Sequence, residues 1–85
     1  MENIIAVFNN RNHTMQFASY LRRLGIKCQV VNTPRELSVS CGISVIFNSN
    51  VIYQAKTIIN NHRFSSFVKL YTIISNGVLK KYRPI

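Results

Sequence analysis

The apolar residues of this chain alternate between short β-branched runs and stripes at helical spacing. The run NIIAVF at 3–8 has the length and branching of a buried strand. Asn9 or Asn10 can then cap a helix through 13–25, where Phe17, Leu21 and Leu24 fall at i, i+4 and i+7 beside Ala18. Gly25 stands where a left-handed residue ends a helix, and Arg22 and Arg23 occupy the last turn, where cations suit the helix dipole. IKCQVV at 26–31 reads as a second strand, and the turn-rich 32–40 follows, with Pro34 disfavouring helix at Thr33. CGISVIF at 41–47 reads as a third strand. Asn48 to Asn50 break the run and can cap a second helix, whose stripe is Val51, Ile52, Ala55, Ile58 and Ile59. A fourth strand is predicted at 67–74, a turn at 75–77 and a short extra strand in VLKKY.

The resulting order, β-α-β-β-α-β, predicts an α+β, ferredoxin-like fold: a four-stranded antiparallel sheet with both helices on one face. The expectation is one domain over 1–85, with a core at about 3–74 and a turn plus basic extension at 75–85. The first and third strands carry apolar residues on both parities, so the face without helices is expected to be open and available to a partner, a second copy or a ligand.

Charge narrows the partners. Eleven Lys and Arg face two acids, Glu2 and Glu36, for a net +9. That balance steers anionic partners, whether nucleic acid, membrane surface or acidic protein. Two acids cannot supply a paired-carboxylate glycosidase site. Three glycines form no phosphate-binding loop. No apolar run approaches the roughly 18–20 residues that span a bilayer, and Met1 runs directly into ENIIAVF without the features of a signal peptide. A cytoplasmic protein with reduced thiols and no membrane insertion is expected.

TPRELSVSCG at 33–42 is the stretch with candidate chemistry. It joins the second and third strands and sets Cys41 at a sheet end. Arg35 and backbone N–H groups favour thiolate, Ser38 and Ser40 offer hydroxyls, and Gly42 permits an unusual backbone. The residues alone leave two readings open: a small hydrophobe starting a strand, which they favour, and a reactive thiol.

The run Pro34, Arg35, Glu36, Leu37, Ser38, Ser40, Cys41, Gly42 resembles, position by position, the motif of a bacterial family of small selenium/sulfur (Se/S) carrier protein-like domains. The likeness extends more loosely over residues 3–73. It implies a non-enzymatic carrier, with Cys41 holding sulfur or selenium as a transient persulfide or selenopersulfide and no other cofactor. It also implies a cysteine desulfurase as donor and a selenophosphate synthetase or thiolation enzyme as acceptor. Arg35 would pair with the persulfide anion, while Ser38 or Ser40 would donate hydrogen bonds. Glu36 reads first as a partner for Arg35. The segment 75–85 departs from the family pattern.

Cys28 shares strand parity with Val30 and reads as a structural thiol, and a Cys28–Cys41 disulfide is not favoured. His13 and His62 have no zinc-type spacing, so no metal site is expected. A second class of function is a nucleic-acid-binding sheet. Phe67, Lys69 and Tyr71 share one parity of the fourth strand, and Lys80, Lys81 and Arg83 add a basic tail, although no RNP-type motif is present. A third is a homodimer through the open face, without chemistry.

Overall fold

The computed structural model describes residues 2–37 and 42–85. Among the described residues there are five strands and two helices, in the order β1 (Asn3–Phe8), α1 (Arg11–Arg23), β2 (Cys28–Asn32), β3 (Ile43–Asn48), α2 (Ile52–His62), β4 (Phe67–Asn76) and β5 (Leu79–Pro84). Single 3-10 turns cover Arg35–Leu37 and Ser49–Val51. The strands form one sheet in the order β2-β3-β1-β4-β5, and every neighbouring pair is antiparallel.

The helix ends follow the local sequence. The Asn10 side chain accepts from the His13 N–H at 2.9 Å and starts α1. At its other end the Gly25 N–H bonds the Arg22 carbonyl at 2.9 Å and the Ile26 N–H bonds that of Leu21 at 3.0 Å, the paired bonds of a Schellman termination. Asn48 accepts from the Asn50 N–H at 2.9 Å and turns the chain out of β3 toward α2. Arg63 closes α2 in the left-handed conformation, at φ +47°, with its N–H on the Ile59 carbonyl.

One parity of the central strands builds the core. Ile4, Ala6 and Phe8 of β1, Val45 and Phe47 of β3, and Leu70 of β4 pack with Phe17, Ala18 and Leu21 of α1 and Ala55, Ile58 and Ile59 of α2. Phe8 is ringed by Phe17, Phe64 and Phe67, with centroids 5.2, 5.4 and 5.5 Å away.

Three expectations need correction. The sheet has five strands rather than four, because β5 runs to Pro84 and pairs with β4 from Asn76↔Leu79 to Tyr71↔Pro84. Its two-residue turn needs a positive φ at the first central position, and Gly77 supplies +72°. Phe67 does not lie with Lys69 and Tyr71. The β1–β4 register shifts between Val7 and Phe8, so Phe67 pairs with Phe8 and packs, partly buried, against the core. The face away from the helices is not open at its centre, since Ile5 and Val7 on the opposite parity of β1 are both 0% exposed.

Candidate functional site: the loop between β2 and β3

The base of this loop is tied to the sheet. The Thr33 N–H donates to the Gly42 carbonyl at 2.9 Å, and the Thr33 and Ser44 hydroxyls share a 2.6 Å hydrogen bond, with Ser44 fully buried. Gly42 has φ +78°, a conformation that costs other residues a Cβ clash, which accounts for glycine directly after Cys41. On the outgoing arm, the Pro34 carbonyl accepts from the Leu37 N–H at 3.0 Å and closes the turn Arg35–Leu37. Arg35 and Glu36 are exposed and Leu37 is half-buried. Ser38, Ser40 and Cys41 lie outside the described residues.

The turn leans across the sheet. Glu36 and Leu37 share a cleft of about 470 Å³ with Tyr71 of β4 and Lys80, Lys81 and Tyr82 of β5. Tyr71 pairs in register with Ile5, so the turn stands on the face that carries Ile5 and Val7. Partial burial, and then the negative charge of Glu36, push the Tyr82 phenol upward, so it stays a neutral hydroxyl at physiological pH.

The residues singled out from the sequence thus divide. Pro34, Arg35, Glu36 and Gly42 form the described arms of the loop. Tyr71, Lys80 and Lys81, first considered as nucleic-acid contacts, flank the same cleft as Glu36. Lys69 pairs with Val7, on the parity of Tyr71, whereas Arg83 pairs with Thr72, on the other parity. Tyr82 was missed in the sequence, and only the hairpin register reveals it.

Cys28 sits apart. It pairs with Phe47, about 16 Å of strand from Gly42. Its thiol is free, half-buried, and donates to the Ala18 carbonyl at 3.6 Å. Burial pushes the thiol upward, opposed by the positive charge of Arg22 and a hydrogen bond to it. It shares the parity of Val30, as the sequence pattern predicts. The His13 ring is hydrogen-bonded to Ser66 through Nδ1 at 2.6 Å, and His62 stacks on Tyr20 at 3.9 Å. Among the described residues, no group of His, Cys, Asp and Glu could hold a metal ion. Nor, among them, is any helix long and apolar enough to cross a membrane.

These features define an α+β fold in which the ends of the β2–β3 connection are tied to the sheet and the turn Arg35–Leu37 lies against it. The family model described as "Putative Se/S carrier protein-like" matches residues 3–67. The chain belongs to that family, and the match includes the whole of the TPRELSVSCG segment. No curated protein and no solved structure matches the chain significantly.

Proposed function

We propose that the protein is a sulfur or selenium carrier that holds its cargo on Cys41. The family match across the complete loop motif is the observation that carries this reading. Loading is a thiol exchange: the Cys41 thiolate attacks the terminal sulfur of a donor persulfide, and the donor's own thiolate leaves. The product is a persulfide on Cys41, anionic near neutral pH. Delivery is the same displacement by an acceptor nucleophile, with the Cys41 thiolate as leaving group. Neither step needs a general base on the carrier. Arg35 in the turn, with Lys80 across the cleft on the parity of Tyr71, provides cationic surroundings for the anion. Ser38 or Ser40 donates a hydrogen bond to it, and Gly42 sets the loop's return path.

A cysteine desulfurase is the expected donor and a selenophosphate synthetase or thiolation enzyme the expected acceptor, in a reducing, cytoplasmic setting. The β1-α1-β2-β3-α2-β4 core is read as ferredoxin-like, with β5 appended. The decisive test is intact-mass and peptide-mapping analysis after incubation with a cysteine desulfurase and cysteine. One added sulfur on Cys41, lost in Cys41→Ser with the fold retained, is the expected result. Equal loading of Cys41→Ser removes the assignment.

A nucleic-acid-binding sheet has one observation in its favour, the shared face of Lys69 and Tyr71. The turn Arg35–Leu37 stands beside Tyr71, where a base would stack, so the carrier reading is preferred. Salt-sensitive retention of RNA with no gain of sulfur would reverse that preference. Burial of Ile5 and Val7 likewise leaves little apolar surface at the sheet centre for a homodimer.

A further inference from the structure

We infer that the outer edge of β5 is a docking site for an acidic, extended segment of a partner protein. Among the described residues the sheet ends at β5, and one side of this strand has no neighbouring strand. Main-chain groups on such an edge can pair with an incoming strand. The side chains say which strand. Lys80, Lys81 and Arg83 are all exposed along six residues of β5, and Lys69 is exposed on β4. A second copy of this chain, itself at +9, brings the same cations to the edge and is repelled. A strand carrying Asp or Glu meets complementary charge instead. Position adds a further argument. The inner side of β5 forms one wall of the cleft that Glu36 and Leu37 line, so a strand added at β5 lies next to the loop that leads on to Cys41. The β4–β5 hairpin extends almost wholly beyond the residues matched by the family model, which end at 67.

Glu36 gives the inference a signature that general basicity lacks. It is the one acidic residue lining this cleft, and it opposes an acidic guest there. Neutralising it is expected to tighten binding, whereas neutralising Lys80 and Lys81 weakens it.

The test is fluorescence anisotropy with the full chain under reducing conditions. The probe is a labelled peptide of alternating Glu and Thr, and the control alternates Glu and Pro at equal length and charge. Proline cannot complete a β ladder, so the control reports charge attraction alone. The Glu-Thr peptide is expected to bind about tenfold more tightly than the control. Lys80→Gln/Lys81→Gln is expected to lose about tenfold, and Glu36→Gln to gain about twofold. Cys41→Ser should bind equally well, which keeps this result separate from the carrier chemistry. Equal affinity for the two peptides, no effect of the lysine variant, or ready displacement by an oligouridine RNA would each overturn the inference.

Discussion

The Thr33–Ser44 hydroxyl pair is the smallest unit on which the candidate loop depends. Ser44 is fully buried at the start of β3, and Thr33 ends the arm leaving β2, so their 2.6 Å bond ties the loop to the sheet. Replacing only Thr33 by Val strips the Ser44 hydroxyl of this partner in a place water does not reach. Thr33→Val is expected to cost about 1–3 kcal/mol, read as a shift in the urea midpoint. Adding Ser44→Ala should recover part of that loss, because the pair is then removed together, whereas strictly additive costs would show that the two hydroxyls act independently. Cys28 and Tyr82 set a different residue-scale expectation. Both groups are pushed upward chiefly by burial, so the folded state holds both protons more tightly than the unfolded chain. Stability from this source is complete below the ordinary thiol value of 9.0 and is lost as pH rises through the raised folded values. Urea midpoints should accordingly fall between neutral and alkaline pH, and Cys28→Ser should flatten the thiol part of that fall. At neutral pH, peptide mapping after brief iodoacetamide treatment should find Cys28 alkylated more slowly than an unhindered thiol. The helix-side placement of Cys28 was legible from its strand parity with Val30, since that parity is a purely local property. Tyr82 was not, because its significance comes from Glu36, a residue distant in sequence.

Helix ends are where local sequence and structure agree best, and Arg63 is the exception. Asn10, Gly25 and Asn48 act within three or four residues of themselves, so their roles are visible in the string of letters. Arg63 ends α2 at φ +47°, a conformation that brings the Cβ of an L-residue against its own backbone. Arg63→Gly relieves that strain but gives the unfolded chain more freedom. The net expectation is a gain of about 0.5–1 kcal/mol and a melting temperature a few degrees higher by circular dichroism. Gly77→Ala should go the other way by about 1 kcal/mol. No atom stands within 4 Å of the added Cβ, so the whole cost comes from the positive φ of the turn. This turn also explains why β5 was underestimated. LKKYRP has neither clean alternation nor an apolar face, and its ladder is imposed by β4 rather than by its own pattern. Phe67 illustrates the same limit. Its parity in FVKLYTII places it with Lys69 and Tyr71, and only the register shift opposite Val7 and Phe8 turns it against the core.

For the molecule as a whole, the sequence read the layers correctly and misjudged the uncovered face. Apolar residues on both parities of β1 require cover on both sides of the sheet. Helical periodicity announced the cover on one side, but the turn Arg35–Leu37 has no periodicity and lies over the other side only after the chain has folded. A covered centre with a cationic rim has a consequence for stability. Eleven cations and two acids share a chain of 85 residues, so folding brings like charges together. The exposed Lys69, Lys80, Lys81 and Arg83 concentrate that repulsion on the β4–β5 hairpin. Added salt screens it over a length of about 10 Å at 0.1 M. Raising sodium chloride from about 10 to 200 mM should therefore stabilise the fold, by on the order of 1 kcal/mol, with no change in the slope of the urea transition. The Lys80→Gln/Lys81→Gln variant begins with less repulsion. It should be more stable than the parent at low salt and respond less to added salt. A melting temperature that falls with salt would instead mean that attractive pairs outweigh repulsion, and the hairpin would then have to be read as neutralised within the fold rather than held ready for an anionic partner.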